Sequence, residues 1–142
     1  MTLARSHGYK LSYIARLIRI RFDQRAREVG LTRAQWQAIA TIRLHEGATQ
    51  REIAEALDIS SVTIGRILER LEQDGWIERR PDAQDRRAYR LYLKQGAQPI
   101  LEKLGEIASD EERRTLAGLS GDEQQLLSRL LDRLLGNLER RD

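Results

Sequence analysis

One unbroken segment, residues 49–93, constrains the fold of this chain more than any other part of its sequence. It opens with a short helical run that ends near Leu57, passes through a tight turn, and resumes as a second helix from an N-cap at Ser60 to about Asp74. Over residues 89–93 the pattern changes to the two-residue alternation of a half-buried strand. Two helices in this order, followed by an arginine-rich hairpin, predict a mainly α winged helix-turn-helix.

Length and composition limit the classes of protein to which the chain can belong. Its 142 residues fit one compact domain, or a DNA-reading lobe with an oligomerisation element, and its 33% charged fraction suits amphipathic helices. The absence of cysteine excludes disulfides, thiolate metal sites and thiol redox sensing. Because it has neither an apolar run at the N-terminus nor a stretch of about 18 apolar residues, we expect a soluble, cytoplasmic protein with no membrane partner.

Basic charge is concentrated in the part of the chain that contains the helix-turn-helix and the hairpin. Residues 1–93 carry 17 Lys and Arg against 12 Asp and Glu, whereas residues 94–142 carry 8 against 10. This distribution favours double-stranded DNA as a partner, because phosphate contacts need cations there. A nonspecific architectural DNA binder is the alternative, but it would have a more strongly basic chain than the net charge of +3 found here.

Capping boxes and glycines mark the helices before the hairpin. The first helix is predicted over residues 9–29 and stops at Gly30. Thr32 then opens a helix over residues 33–45, which ends at Gly47.

Two more helices are predicted after the hairpin, whose strands we place at residues 77–80 and 87–93. The first spans residues 95–116, and a capping box at Ser120 opens the second. The second helix carries a stripe wide enough to pack against two neighbours, namely Leu126, Leu127, Leu130, Leu131, Leu134, Leu135 and Leu138.

The helix that follows Ser60 has two faces of different chemistry. A step of about 100° per residue gathers an apolar stripe that we expect to be buried, formed by Ile64, Ile67, Leu68 and Leu71. The opposite face presents Val62, Thr63, Arg66 and Arg70. These groups suit base edges and thymine methyls in the major groove, and a bidentate contact from Arg66 to guanine would discriminate by about 1–3 kcal/mol. A merely solvated face is the alternative, which the helix-turn-helix order disfavours.

The starts of the two helices are predicted to contact phosphates. Main-chain amides at a helix N-terminus point outward and attract anions, and side-chain donors add to them. The candidate residues are Thr49, Gln50, Arg51, Ser60 and Ser61.

The hairpin gives a second, partly independent indication of DNA binding. Its arginines lie close together and are interrupted by two aspartates: Arg79, Arg80, Arg86, Arg87 and Arg90. Arginines at a hairpin tip can enter a narrow minor groove, where the negative potential is enhanced. Asp85 is predicted to accept hydrogen bonds from a neighbouring arginine and so to fix the shape of the hairpin. We assign Arg79, Asp85, Arg86 and Arg87 to the DNA-binding surface, with a solvated polar hairpin as the alternative.

With these motifs, the chain resembles the MarR family of winged-helix transcriptional regulators, and within it the SlyA-like branch. The likeness covers essentially the whole chain and rests on residues 31–36, 50–75, 85–88, 93, 97–101 and 118–120. The family usually has threonine after the last leucine of the hairpin, where this chain has Lys94. The cap of the following helix is therefore expected to be lost or shifted.

The resemblance implies an obligate homodimer that binds an inverted repeat, with recognition helices in successive major grooves and hairpins in flanking minor grooves. It divides the chain into an N-terminal dimerisation helix (1–31), a DNA-binding domain (32–93) and C-terminal dimerisation helices (94–142). By position, Val62, Thr63 and Arg66 match the base-reading surface. The minor-groove arginine matches Arg87, and its supporting pair matches Arg86 and Asp85.

Many members of the family respond to small aromatic acids bound between the dimer and DNA lobes, which implies an effector site here. The candidate residues are Tyr13, Arg16, Trp36 and His45, since a cation beside an aromatic ring can hold a carboxylate on a flat ring. A plain core or interface role is the simpler interpretation of Tyr13 and Trp36, because both lie on helix faces that must pack.

Other functions fit the sequence less well than transcriptional regulation. An enzyme is disfavoured because His7 and His45 have neither metal-ligand spacing nor a nucleophile partner, and no glycine-rich phosphate loop is present. We expect no metal or cofactor. A winged helix that docks onto proteins would have lost the cations of its recognition helix and hairpin, which this chain retains. The sequence therefore predicts a dimeric regulator of a pseudo-palindromic promoter site; repression by blocking polymerase is favoured, and activation by displacing other DNA-bound proteins stays open.

Overall fold

The computed structural model describes residues 5–140 and has the mainly helical winged-helix fold that the sequence predicts. The helices are α1 (His7–Glu28), α2 (Arg33–Leu44), α3 (Gln50–Leu57), α4 (Ser61–Gln73), α5 (Gln98–Thr115) and α6 (Gly121–Glu139). Between α4 and α5, strands β1 (Ile77–Pro81) and β2 (Tyr89–Leu93) form an antiparallel hairpin, here called the wing. A 3-10 turn, Gln95–Ala97, precedes α5.

Side-chain caps determine where the helices begin. The three predicted capping boxes are confirmed, and the reciprocal pairs are Thr32 with Gln35, Thr49 with Glu52, and Ser120 with Glu123. α1 begins two residues earlier than predicted because Ser6 also supplies a cap, its hydroxyl accepting from the amide of Tyr9 at 3.1 Å.

A core of aliphatic side chains joins α2, α3, α4 and the wing. Its largest fully buried members are Leu31, Ile39, Ile42, Ile53, Ile64, Leu68, Leu71, Ile77 and Leu91. Ala26 from the end of α1 and Ile100 and Leu104 from α5 extend the same cluster. Each large aliphatic side chain contributes about 1.5–3 kcal/mol on burial, so this core fixes the position of α4 relative to the wing.

The wing has a slightly longer first strand, a shorter second strand and a longer turn than predicted. Arg86 and Arg87 lie in the turn, so the predicted second strand over residues 87–93 begins two residues too early. The amide of Arg87 donates to Asp85 Oδ1 at 2.9 Å, and the amide of Ala88 donates to the Asp85 carbonyl at 3.1 Å. Because these two amides have partners within the turn, they do not pair with the opposite strand.

The junction between the wing and α5 departs from the predicted continuous helix over residues 95–116. Lys94 precedes the 3-10 turn and Ala97 precedes α5, and neither side chain makes a capping hydrogen bond. Lysine has no acceptor for an unpaired helix amide, so the expected loss of the cap at Lys94 is confirmed. Pro99 lies in the first turn of α5 instead, where its missing N–H costs nothing.

α1 and α6 present apolar faces that the chain itself does not cover. No residue of α6 is buried, so the packing against two neighbours that its leucine stripe predicts is not made within a single chain. On α1 the exposed apolar residues are Tyr9, Leu11, Tyr13, Ile14, Leu17 and Ile18. Within residues 5–140, none of the helices combines the length and the apolar character needed to cross a membrane.

Candidate nucleic-acid interface

α4, the predicted recognition helix, presents the two faces expected from its sequence. Its inner face is formed by Ile64, Leu68 and Leu71, with Ile67 partly buried. The predicted reading residues are all exposed on the other face, namely Val62, Thr63, Arg66 and Arg70. Val62 is 69% exposed although it is aliphatic, which leaves a methyl-bearing surface beside the arginines.

Ser60, one of the residues predicted to contact phosphate, is the cap of α4. The Ser60 hydroxyl accepts from the amide of Thr63 at 3.1 Å and donates to the Thr63 hydroxyl at 2.9 Å. It is therefore engaged at the helix start, while Ser61 is exposed there beside the outward-pointing amides.

The start of α3 lies beside the start of α4. Thr49 and Gln50 are half-buried, whereas Arg51 is exposed and pairs with Glu55 one turn further on at 3.2 Å. Gly65 of α4 faces this helix start, since a Cβ atom there would lie in ordinary contact with Gln50 Nε2 at 3.4 Å.

A cleft of about 570 Å³ separates these helix starts from the wing. Its helical side is formed by Thr49, Gln50, Arg51 and Ser61, and its wing side by Arg79, Asp82, Asp85, Arg87, Ala88 and Tyr89. Tyr89 is 44% exposed at the start of β2, two positions before the fully buried Leu91. The structure thus brings seven of the predicted DNA-contacting residues around one concave surface, whereas six others lie outside its lining: Ser60, Val62, Thr63, Arg66, Arg70 and Arg86.

Three arginines of the wing are held by carboxylates of the protein, namely Arg79, Arg80 and Arg90. Arg79 donates twice to Glu72 of α4, from Nε and from a terminal nitrogen, at 3.2 Å each. The hydrogen bonds from Arg79 hold the pKa of Glu72 below its usual value. Arg90 pairs with Asp82 at 3.0 Å. Arg79, predicted to contact DNA, is therefore committed to an ion pair that ties β1 to α4.

Three other arginines have no such partner. Among residues 5–140, Arg66, Arg86 and Arg87 make no ion pair with a carboxylate. Arg70 is intermediate, since its pair with Asp74 is exposed and spans 3.5 Å. A guanidinium without an internal partner can offer all five of its N–H donors to a ligand. Unpaired cations therefore occupy both predicted DNA-contacting positions, the reading face of α4 and the tip of the wing.

Asp85 shapes the wing as predicted, but with a different donor. Its carboxylate accepts from the main-chain amide of Arg87 and not from a guanidinium. This arrangement fixes the turn and leaves the side chain of Arg87 extended from it.

Trp36 borders a groove of about 520 Å³ between α1, α2 and α5. Its ring tilts against Phe22 with centroids 4.5 Å apart, and its indole donates to Asp23 at 2.7 Å. Trp36 therefore packs against its neighbours, as the simpler interpretation predicts, and it also lines a pocket. Sequence reasoning missed the rest of the lining, because it comes from three separate elements: Phe22, Ala40, Arg43, Leu44, Gln98, Leu101, Glu102, Leu104, Gly105 and Ala108.

The other candidate effector residues do not line this groove. His45 borders a separate hollow beside α3. Tyr13 stacks on Tyr9 of the same helix with centroids 6.1 Å apart, and Arg16 is exposed on α1. Within a single chain, the four candidates therefore do not form one site.

Two buried carboxylates that the sequence analysis missed connect α1 to its neighbours. Asp23 binds Arg33 and Trp36 of α2, and Glu111 of α5 lies 2.9 Å from Arg21 and 3.4 Å from Arg25. The sequence did contain a signal for Asp23, which is an acidic residue next to the apolar positions of α1. Within residues 5–140, no group of three or more histidine, aspartate and glutamate residues is placed to hold a metal ion.

Comparisons with known proteins give the chain its family. A family model described as MarR family matches residues 29–88. The structure of the transcriptional regulator PA3341 is 32% identical, with 96% of this chain and 100% of that chain covered and a TM-score of 0.80. The transcriptional regulator SlyA is 26% identical, with 91% of each chain covered and a TM-score of 0.74. MepR from S. aureus, in a DNA complex, is 25% identical, with 97% and 100% covered and a TM-score of 0.72. The chain belongs to the MarR family of winged-helix transcriptional regulators.

Proposed function

We propose that this protein forms a homodimer that binds a pseudo-palindromic site in promoter DNA and regulates transcription from it. The observation that carries the proposal is that some arginines of this surface form ion pairs within the protein and others do not. In the described part of the chain, Arg66, Arg86 and Arg87 have no internal ion pair, whereas Arg79 and Arg90 do. An unpaired guanidinium can bind a base edge or a phosphate without first breaking an internal ion pair. The description of MepR as a DNA complex supports the same class of partner.

Each part of the surface has a role in this proposal. The recognition helix enters the major groove, where base edges are read by Val62, Thr63, Arg66 and Arg70. Phosphates are held at the starts of α3 and α4 by Thr49, Gln50, Arg51, Ser60 and Ser61. Arg87 enters the minor groove with support from Arg86 and Asp85. Arg79 acts indirectly, by holding the wing against α4.

Dimerisation is supported by the apolar faces that α1 and α6 leave uncovered. A contiguous apolar surface of this kind usually marks a protein interface. Twofold symmetry places two recognition helices in the orientation that an inverted repeat requires. We assign residues 1–31 and 94–142 to the dimerisation lobe and residues 32–93 to the DNA-binding domain. Residues 1–4 and 141–142 of these ranges lie outside the described residues.

Repression by exclusion of polymerase is the regulatory outcome that we favour. A dimer that spans two half-sites covers about two turns of DNA and competes directly with other proteins for it. The resemblance to the SlyA-like branch gives the alternative, which is activation by displacement of other DNA-bound proteins. In either case the protein acts on the nucleoid in the bacterial cytoplasm.

A small aromatic acid is the proposed effector, and the Trp36 groove is its proposed site. Phe22 and Leu101 give the groove an apolar wall for a flat ring. Arg43 also lines the groove and can pair with the carboxylate of the acid. Of the four effector residues expected from the sequence, only Trp36 belongs to this groove.

The test is a fluorescence-anisotropy titration against the DNA upstream of the gene and against a scrambled duplex, at two salt concentrations. Preference for the upstream DNA that survives the higher salt is the expected result. Equal, salt-labile binding to both duplexes would indicate an architectural DNA binder, and no binding to either would indicate a protein-docking module. The titration repeated with benzoate tests the effector, which should lower the affinity for the upstream DNA.

A further inference from the structure

We infer that Arg90 is a positioning residue for DNA binding, which locks the wing against the start of α3 and so sets the distance between the wing tip (residues 82–88) and the recognition helix. The inference rests on the proposed DNA-binding function. Arg90 itself would contact no DNA; it would act by positioning Arg87.

Arg90 has two partners that lie on different segments. Its Nε donates to Asp82 Oδ1 at 3.0 Å, at the beginning of the wing tip. A terminal nitrogen donates to the carbonyl of Gly47 at 2.8 Å, in the loop between α2 and α3. One planar guanidinium therefore connects the wing tip to the loop that leads to Thr49, the cap of α3. Asp82 is only 16% exposed, and its hydrogen bond from Arg90 holds its pKa below the usual value.

Main-chain hydrogen bonds fix the base of the wing to the same loop. The amide of Gly47 donates to the carbonyl of Leu91 at 2.8 Å, and the amide of Leu91 donates to the carbonyl of Ala48 at 2.9 Å. The wing tip lies beyond these bonds. The hydrogen bonds inside the tip hold its shape, and the side chain of Arg90 adds a link from the tip to the loop before α3.

The position of the wing tip decides whether two DNA grooves can be contacted together. The cleft of about 570 Å³ lies between the helix starts and the wing, and Asp82 and Arg87 both line its wing side. A pivot of the wing changes the width of this cleft and moves Arg87 relative to α4. Fixing the wing before DNA binds lowers the entropy lost when both contacts form.

Arg80 supplies a matched control for Arg90. It lies opposite Arg90 across the hairpin, but its hydrogen bond and its ring contact both stay in the wing: Glu78 at 3.2 Å and the ring of Tyr92, 4.0 Å from the guanidinium carbon. Arg80→Gln and Arg90→Gln remove the same charge from the same hairpin. Only Arg90→Gln also breaks a side-chain hydrogen bond that links the wing tip to the loop before α3.

The test is a double-substitution cycle on the upstream DNA, read by anisotropy. Arg90→Gln should weaken binding about tenfold more than Arg80→Gln, a difference within the usual range of coupled sites. In an Arg87→Ala background, Arg90→Gln should have almost no further effect, because Arg90 acts through Arg87. Footprints of Arg90→Gln should keep the protection of guanines in the major groove and lose the hydroxyl-radical protection of the flanking minor groove. A simple loss of folding would weaken both kinds of protection together.

Arg90→Lys is the second variant, since it keeps the charge but cannot hold both partners with one planar group. It should share the loss of flanking protection while melting like the wild type. Equal affinities of Arg90→Gln and Arg80→Gln, full additivity with Arg87→Ala, or an intact flanking footprint in Arg90→Lys would each overturn the inference. A wild-type protein that does not distinguish upstream from scrambled DNA would instead refute the proposed function, and this inference with it.

Discussion

Replacement of Asp23 by asparagine tests whether one buried carboxylate ties α1 to the winged helix. Asp23 is 3% exposed, and its two oxygens accept from Trp36 Nε1 at 2.7 Å and from Arg33 Nε at 2.6 Å. Both donors belong to α2, so the contact joins an element of the proposed dimerisation lobe to the DNA-binding domain. Asparagine has the same shape, but it has one acceptor oxygen and presents donors where the second oxygen was.

We expect Asp23→Asn to lower the free energy of unfolding by about 2–4 kcal/mol. A buried donor left without an acceptor costs about 1–3 kcal/mol, and a hydrogen bond to a charged group contributes about 1.5–3 kcal/mol. The side chain of Arg33 is 53% exposed and can turn to water, which limits the loss on that side. The main cost therefore comes from the loss of the charged acceptor and from a buried donor left unpaired.

Urea unfolding followed by tryptophan fluorescence, at equal protein concentrations, measures this difference. Asp110→Asn is the matched control, because it removes the same charge from a more exposed carboxylate, 36% exposed against 3% for Asp23, which binds Arg25 and Arg113. Solvent weakens such ion pairs, so we expect a smaller loss of stability than for Asp23→Asn. Equal losses in the two variants would refute the argument that burial makes the Asp23 contact strong.

The same comparison predicts how stability changes with pH. Burial acts to raise the pKa of Asp23, but hydrogen bonds from Arg33 and Trp36 outweigh it and hold the pKa below its usual value. A carboxyl whose pKa falls on folding contributes stability that is present above its unfolded pKa, about 3.9, and is lost as the pH falls through its folded pKa. The difference between the wild type and Asp23→Asn should therefore shrink below about pH 4. A difference that grows with acid would contradict this assignment.

The DNA contacts and the dimer interface give three further tests. Arg66→Ala should relax sequence preference at one base position by about 1–3 kcal/mol in competition with variant sites, whereas uniform weakening on all sites would remove its base-reading role. Arg87→Ala should reduce affinity most on sites with A·T-rich flanks, where a narrow minor groove attracts arginine, and an equal loss on G·C-rich flanks would indicate a phosphate contact instead. Leu130→Glu should yield monomers in sedimentation, because it places a charge in the exposed leucine stripe of α6. Arg129→Glu, on the opposite face of that helix, should leave the dimer intact, and a monomeric wild type would refute the interface.

Local rules account for most of what the sequence predicts correctly. The caps at Thr32, Thr49 and Ser120 form as expected, and Gly30 and Gly75 end their helices with positive φ angles. These signals involve residues a few positions apart, so their geometry depends little on the rest of the chain. The two faces of the recognition helix follow from helical periodicity for the same reason.

What the sequence did not predict depends on contacts between elements. Arg79 and Arg87 look alike in the sequence, as arginines of one basic hairpin. Glu72, on α4, pairs with Arg79, and the sequence contains no local sign of this contact. The effector candidates failed to come together for a similar reason, because a groove between three helices cannot be assembled from the pattern of any one of them.

The number of arginines in the wing overstates the charge that it offers to DNA. Arg79, Arg80 and Arg90 form ion pairs within the protein, and each would have to exchange a carboxylate for a phosphate before it could release a counterion from DNA. Such an exchange returns little free energy, because a carboxylate and a phosphate satisfy the same guanidinium donors. The salt dependence of DNA binding should therefore report the unpaired arginines, while the paired ones determine where the unpaired ones are held. In the proposed DNA complex the paired arginines fix the shape of the wing and the unpaired arginines at its tip make the contacts, which is why substitutions of equal charge are expected to have unequal effects.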